Sequence, residues 1–377
     1  MRILQVVNLF GARHGGSVRA VYCLSKELAG RGHQVDIYTS DYKLGTLPIS
    51  GITVHPFKTW VHLAGFSVTP SMLTADYHFD IIHMHNYRTF QNVVAHCYAV
   101  KHKIPYILQG HGSLTTFFYK GKLKRAFDKF WGYRLLHDAS KVIAVTEVEA
   151  EQCREMGVDR EKIVVVPNGV DLAEFENLPK RGEFRKKYGL TNQRVVLYLG
   201  RIHEIKGLDL LVEAFASLLN ELDAVELVIV GPDDGYLLPL KKLIAHLGIK
   251  SKVLFTGPLD GQEKLEAYTD ADVFVMPSRY EAFSISMLEA CACGVPVVTS
   301  DCCGIAETIV ASRAGLVVPR DKQLLTDAIL NVLQDDKARQ TFGGRGGLLV
   351  REKFNWQMIV GQVEGIYESV IAGGHSY

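Results

Sequence analysis

Val273-Phe274-Val275-Met276-Pro277-Ser278-Arg279-Tyr280-Glu281-Ala282-Phe283-Ser284-Ile285-Ser286-Met287-Leu288-Glu289-Ala290 reads as an apolar strand that stops at Pro277, a loop, and the opening turns of a helix. Glu281 falls on the loop, and Glu289, eight residues on, falls one or two turns into the helix. A helix start offers unpaired backbone N–H groups and the positive end of a dipole, which suit phosphate, while carboxylates beside it accept hydrogen bonds from hydroxyls. Hydroxyls and phosphate on one ligand describe a sugar nucleotide.

Working outward, strand-like apolar runs alternate with helix-period segments along the chain: Ile3–Val7, Val35–Thr39, Ile81–Met84, Tyr106–Leu108, Val142–Val145 and Ile163–Val166. A second series follows at Val195–Leu199, Leu227–Val230, Val253–Phe255, Val273–Met276, Val295–Thr299 and Leu316–Val318. Such alternation predicts βαβ units and parallel sheets, with ligands beyond the carboxyl ends of the strands. Thr146-Glu147-Val148-Glu149 is a capping box that opens a helix ending at Gly157. Between the series lie Pro167-Asn168-Gly169-Val170-Asp171 and a polar stretch, Glu174–Asn192, where the domain boundary is expected. The domains are then residues 1–170, joined by a C-terminal helix at 356–377, and residues 171–355. Gly343-Gly344-Arg345-Gly346-Gly347 is unusual inside a helical region.

With 377 residues, 47% of them hydrophobic and 22% charged, the chain has the composition of a two-domain globular protein. No apolar run approaches the roughly 20 residues that a bilayer requires, and the first strand begins without the sections of a secretory signal, so a cytoplasmic location is expected. Seven cysteines, an odd number, read as reduced thiols. Cys291, Cys293, Cys302 and Cys303 cluster in sequence, but a C-x-C pair on a helix points its side chains apart, so buried small side chains are expected rather than zinc ligands. The net charge of +1 conceals an excess of 20 basic over 13 acidic residues in 1–168, against 22 over 28 afterwards.

Strand Val195–Leu199 leads into Gly200-Arg201-Ile202-His203-Glu204-Ile205-Lys206-Gly207, which sets two cations on a loop at a strand's carboxyl end. Fixed cations can neutralise a departing diphosphate without a metal. Phe10-Gly11-Ala12-Arg13-His14-Gly15-Gly16-Ser17 follows the first strand and is no dinucleotide fingerprint. Gln109-Gly110-His111-Gly112 places a histidine between glycines at another strand end. His83 and His85 alternate on a strand that offers only two ligands to one face, so they are expected to pack or to line an acceptor.

Together these motifs resemble the retaining glycosyltransferases of family 4, whose Glu-x7-Glu and Gly-Arg-x4-Lys-Gly signatures match Glu281/Glu289 and Arg201/Lys206. The resemblance spans almost the whole chain, as far as Phe354-Asn355-Trp356. It implies the GT-B fold, an α/β architecture of two facing Rossmann-like doubly wound domains with an interdomain cleft, the last helix crossing back to the first domain. It also implies catalytic roles for His111, Glu281, Arg201 and Lys206. Donor contacts would come from Gly15 and Gly16 of the glycine loop, Arg201 and Lys206 on the diphosphate, Pro258 and Leu259 at the base, Glu281 at sugar hydroxyls, the backbone of Phe283, Ser284 and Ile285, and Glu289 at the ribose. Many relatives carry Gly-Phe-Gly where this chain has Ala282-Phe283-Ser284, which makes close backbone approach harder here.

The activity implied is metal-independent transfer of a hexose-type sugar, with retained configuration, from a UDP- or GDP-linked donor to a glycan or lipid-linked acceptor in cell-surface polysaccharide or glycolipid synthesis. The nucleotide sugar is a substrate; no cofactor is expected, and Asp233-Asp234 is no D-x-D metal motif. A sugar-nucleotide epimerase and a catalytically silent sugar-nucleotide-binding protein remain the alternatives. Residues 117–134 mix Phe117, Phe118, Phe127, Phe130 and Trp131 with Lys120, Lys122, Lys124, Arg125 and Lys129. Leu123, Phe127, Phe130 and Trp131 can share a helix face, read either as a core face with a solvated basic side or as a docking face for an anionic membrane's inner surface or a lipid diphosphate. No nucleic-acid-binding motif accompanies them.

Overall fold

The computed structural model of the chain describes residues 1–11, 15–45, 50–63, 65–76, 78–115, 121–190 and 193–373. The chain divides into two compact units, Met1–Gly169 with Trp356–Tyr377, and Val170–Asn355. Both are Rossmann-like α/β domains built on parallel sheets, as the alternating pattern predicts.

The first unit contains β1 (Arg2–Val6), β2 (Gln34–Ser40), β3 (Ile52–Phe57), β4 (Val61–Leu63), β5 (Phe66–Val68), β6 (Ile81–His85), β7 (Tyr106–Gln109), β8 (Lys141–Ala144) and β9 (Ile163–Val165). Its main sheet runs β3-β2-β1-β6-β7-β8-β9 with parallel pairing throughout, and β4 and β5 form a separate antiparallel hairpin. Neighbouring strand residues serve opposite cores. Ile3, Ile81, Ile107 and Ile143 pack with helices Gly16–Gly30 and Trp356–Ala372. Leu4, Ile82, Leu108 and Val142 pack with helices Phe90–His102 and Glu147–Glu155. Burial on both faces is why these strands read as continuous apolar runs.

The second unit contains β10 (Arg194–Leu199), β11 (Val225–Val230), β12 (Val253–Gly257), β13 (Val273–Met276), β14 (Val297–Ser300) and β15 (Gly315–Val318), in the order β12-β11-β10-β13-β14-β15. The strand order reverses between β10 and β13, so the loops after these two strands flank the crevice where doubly wound sheets bind ligands. In the first unit the reversal lies between β1 and β6.

Several expectations need correction. β3 and the hairpin carry no recognised apolar pattern; β3 includes His55 and Pro56 and is tolerated because it lies at the sheet edge. The polar stretch 174–192 is not a boundary but, where described, a folded part of the second unit: helix Glu183–Tyr188 buries Phe184, and Arg185 pairs with the buried Asp272 at 2.6 Å. Its charges are polar in sequence yet satisfied in place. The glycine-rich run lies inside helix Asp336–Lys353, where a Cβ on Gly343 would stand 2.0 Å from the Gly294 carbonyl oxygen. Close packing on helix Ile285–Ala292 thus outweighs glycine's weak helix propensity. Among the described residues no helix is long and apolar enough to cross a membrane.

Candidate active site

In the second unit, β10 delivers Gly200 and Arg201 to the crevice edge, and a turn at Glu204–Lys206 presents Lys206. The His203 ring accepts from the Ile205 N–H at 3.1 Å and shapes this turn. Gly207, at φ +68°, then starts helix Leu208–Leu218, and a Cβ there would stand 2.0 Å from the Pro277 carbonyl oxygen. The glycine after Lys206 is therefore required both by its backbone angle and by close approach to the end of β13.

That approach brings the two motifs together. Lys206 Nζ forms an ion pair with Glu281 Oε2, both side chains largely shielded. Arg201 pairs instead with Asp234 on the surface, the two side chains 50% and 44% exposed. An exposed pair of this kind is worth only ~0.2–1 kcal/mol, so the guanidinium is readily released to an anion. Glu281 is pinned by its backbone: its N–H donates to the Cys302 carbonyl at 3.2 Å and its carbonyl accepts from Gly304 at 2.7 Å. Asp233, which neighbours Asp234, caps helix Leu237–His246 through the N–H groups of Gly235, Tyr236 and Leu237.

Ser284 is the N-cap of helix Ile285–Ala292, its hydroxyl accepting from the Met287 N–H at 3.2 Å. The Phe283 ring packs edge-on against Phe354, so this residue offers a ligand its backbone rather than its side chain. The N–H groups of Phe283, Ser284 and Ile285 precede the first intrahelical bond, where an anion is best served. Glu289 is buried, accepting from Tyr268 OH at 2.9 Å and Lys264 Nζ at 2.8 Å. Burial and the Glu289 carboxylate push the Tyr268 phenol well above its ordinary pKa, so it stays a donor. Sequence reading missed Lys264 and Tyr268, whose helix, Gly261–Asp270, follows the loop bearing Pro258 and Leu259. Pro258 is exposed and Leu259 half-buried beyond β12.

In the first unit, Gly15 and Gly16 open helix Gly16–Gly30 and are exposed, while Ala12, Arg13 and His14 of the glycine loop lie outside the described residues. His111 sits beyond β7 in a turn in which it and Gly112 both take positive φ, 51° and 79°. For a histidine this is an uncommon angle, held by its surroundings. Buried Glu149 accepts from the Gly112 N–H at 2.5 Å and from the Val145 N–H at 2.8 Å. The capping box is thus half realised. Thr146 caps the Glu149 N–H, but the glutamate side chain leaves the cap residue and ties the His111 turn to the end of β8. Burial raises the Glu149 pKa.

On the other side of the turn, Arg88 donates to the carbonyls of Ser113 at 2.6 Å and Leu114 at 2.9 Å, and to buried Asp128 at 2.7 Å. Asp128 begins a π-helical turn, Asp128–Gly132, inside the basic aromatic segment. The shared face expected there does not close into the core. Phe127 packs against it, whereas Leu123, Phe130, Trp131 and Tyr133 are 69%, 64%, 49% and 52% exposed. Phe117, Phe118 and Lys120 lie outside the described residues.

His83 and His85 are fully buried with ring centroids 4.1 Å apart. His85 Nδ1 lies 2.9 Å from His111 Nε2. Burial drives His83 and His111 down to about 3 and His85 well below its ordinary value, so all three rings are neutral near pH 7. Among the described residues no group of histidine, cysteine and acidic side chains has the arrangement of a metal site. Cys291 and Cys303 are buried, but Cys293 is only partly so and Cys302 is exposed.

A family model described as Glycosyl transferases group 1 matches residues 180–347, and one described as Glycosyltransferase Family 4 matches residues 14–174. An uncharacterized glycosyltransferase of Methanocaldococcus jannaschii is 30% identical to this chain, with 98% of each covered. A D-inositol 3-phosphate glycosyltransferase of Kineococcus radiotolerans is 28% identical, covering 91% of this chain and 87% of its own. The crystal structure of the Anabaena HepE protein with UDP and glucose superposes with a TM-score of 0.81 at 20% identity, covering 98% of this chain and 100% of that one. At that identity the likeness is one of fold.

Proposed function

Because the chain belongs to the glycosyltransferases of group 1 and family 4, we propose that it transfers a hexose-type sugar from a UDP- or GDP-linked donor, with retained configuration and without a metal, to a glycan or lipid-linked acceptor. Synthesis of a cell-surface polysaccharide or glycolipid is the setting this chemistry fits. The observation that carries the donor half is the meeting of Lys206 with Glu281 at the β10/β13 reversal, with Arg201 on the same loop after β10. Diphosphate oxygens compete for the two cations, and as Lys206 turns to phosphate it frees Glu281 to accept from sugar hydroxyls. The helix start at Ile285 adds N–H groups, and Glu289, held by Lys264 and Tyr268, keeps lone pairs for ribose hydroxyls. His111 is the catalytic candidate of the first unit. The acceptor hydroxyl attacks the anomeric carbon on the leaving-group face, and a phosphate oxygen takes its proton. Cations at the diphosphate stabilise the departing charge, which is the task a metal performs elsewhere.

The name of the inositol phosphate relative supports transfer of a sugar to a hydroxyl-bearing acceptor. For the acceptor side, exposed Leu123, Phe130, Trp131 and Tyr133 beside exposed Lys122, Arg125 and Lys129 support docking on an anionic membrane. Replacing Lys122, Arg125 and Lys129 by Gln is expected to lower binding to phosphatidylserine-containing vesicles; equal binding by variant and parent would remove the membrane from the proposal.

The deciding experiment measures binding and slow hydrolysis of UDP-, GDP- and ADP-sugars with EDTA present. One preferred donor, bound without metal and weakened by Arg201→Ala, is expected. Donor turned over to an isomer without acceptor would make the chain an epimerase, and no binding of any donor would make it a silent scaffold.

A further inference from the structure

The two strand histidines that were expected to pack or to line an acceptor belong to a continuous chain of hydrogen bonds ending at His111. Gln5 of β1 lies in register beside His83 of β6, and Gln109 of β7 lies beside His85. Helix Trp356–Ala372 lowers Tyr367 onto this polar layer, where Gln5, His83, His85 and Tyr367 are all fully buried. Gln5 Nε2 donates to Tyr367 OH at 3.3 Å. Tyr367 OH lies 2.7 Å from His83 Nδ1, Gln5 Oε1 lies 2.5 Å from His85 Nε2, and His85 Nδ1 lies 2.9 Å from His111 Nε2. We propose that Gln5, His85 and Tyr367 are positioning residues that act through His111, holding its ring with the proton on Nε2 and a bare acceptor at Nδ1.

The argument is one of polarity. An uncharged imidazole has one N–H and one lone pair, so each link dictates the next. The Gln5 amide gives its N–H to the tyrosine, which leaves its oxygen facing His85 Nε2, so that nitrogen bears the His85 proton. His85 Nδ1 is then an acceptor, and the proton between it and His111 belongs to His111 Nε2. Nδ1 of His111 is left without a proton, and it is buried with no hydrogen-bond partner.

The reverse chain needs the Gln5 amide turned over, with its NH2 group rather than its oxygen against His85 Nε2. Each direction leaves one buried N–H without a partner, at His83 Nε2 in the forward chain and at His111 Nδ1 in the reverse, so the orientation of the Gln5 amide decides between them. With the Gln5 amide as it stands, the tyrosine hydroxyl accepts from Gln5 and donates to His83 Nδ1. A bare nitrogen at His111 accepts from a hydroxyl or water and repels carbonyl and phosphate oxygens. Its use on a sugar hydroxyl rests on the transferase reading; its protonation pattern does not.

The test is therefore made on the full chain without nucleotide sugar. Protein carrying 15N-labelled histidine rings is examined by NMR at neutral pH, and the His111 signals are identified by their loss in His111→Ala. The expected result is a single tautomer of His111 with the proton on Nε2. In Tyr367→Phe the Gln5 amide loses its acceptor and both amide orientations become available, so the Nε2–H form is expected to fall from nearly all to about half of the molecules. Gln5→Leu, which removes both ends of the amide, is expected to do the same. A proton on Nδ1 in the parent protein would overturn the proposal even if no variant folds. So would unchanged His111 signals in folded Tyr367→Phe and Gln5→Leu. Failure of every donor to bind, with Nε2–H intact, would instead sink the transferase reading and leave this one standing.

Discussion

Arg201 and Lys206 are both cations of one signature, yet their surroundings assign them different consequences. If they clamp a diphosphate, replacing either with Ala is expected to weaken UDP or GDP binding by ~1–3 kcal/mol, the range for charge-assisted bonds. Only Lys206→Ala should also lower the melting temperature, because it strands the shielded Glu281 carboxylate, whereas Arg201 leaves a solvated Asp234 behind. Calorimetric titration and thermal unfolding of the two variants check this; equal affinity in both would remove the clamp. The three neutral histidines make a second prediction. An unfolded chain protonates all three below about pH 6.5, whereas the native rings resist to about 3 at His83 and His111. The stability they lend is thus complete above about pH 6.5 and is lost as the pH falls from there, by at most ~1.4 kcal/mol per pH unit for each ring. Glu149, the acid at the His111 turn, is shifted upward and works in the opposite direction, stabilising more as it gains its proton. Urea midpoints at pH 7.5 and 5 should differ markedly for the parent and less for His83→Gln.

At the scale of elements, the His111 turn hangs between two charged side chains, neither of which stood out in sequence. Glu149 was legible only as a cap residue, since a local motif announces the Thr146 bond but not a contact reaching back to Gly112. Arg88 and Asp128 are forty positions apart and belong to no motif. Glu149→Gln keeps one acceptor but turns an N–H toward a second buried N–H. It is expected to cost ~1–3 kcal/mol and to speed hydrogen exchange at the Gly112 amide. Unchanged exchange there would mean that the turn is held by Arg88 alone. The edge strand β3 and helix Glu183–Tyr188 escaped sequence reading for a related reason: their polar residues are satisfied by partners remote in sequence, such as Asp36 for His55 and Asp270 for the N–H of Arg185. The central strands were legible because burial on both faces leaves them mostly apolar, with Gln5, His83, His85 and Gln109 as buried exceptions.

Across the whole molecule, the first unit is completed by the far end of the chain. Trp356, Ile359, Val360, Val363, Tyr367 and Val370 join the core formed by Ile3, Leu24 and Ile107. Ending the chain after Asn355 would therefore expose an apolar sheet face and remove the tyrosine of the buried polar layer. The shortened protein is expected to lose cooperative unfolding of the first unit while residues 170–355 stay folded, which limited proteolysis followed by mass spectrometry would reveal. A shortened chain with both units protected would refute the dependence.

The amino-acid sequence by itself determined the α/β alternation, the parallel sheets and the strand ends that carry Arg201, Lys206, Glu281 and His111. Apolar periodicity and strand-terminal loops are local properties, written in consecutive residues. Tertiary structure alone decided which charges meet. Lys206 finds Glu281 because Gly207 lets its backbone touch the end of β13, and His111 joins His85, Gln5 and Tyr367 because β1, β6, β7 and the last helix converge. Hydrogen bonds between buried polar groups depend on distances of about 3 Å between segments tens to hundreds of residues apart, and no local pattern encodes such distances.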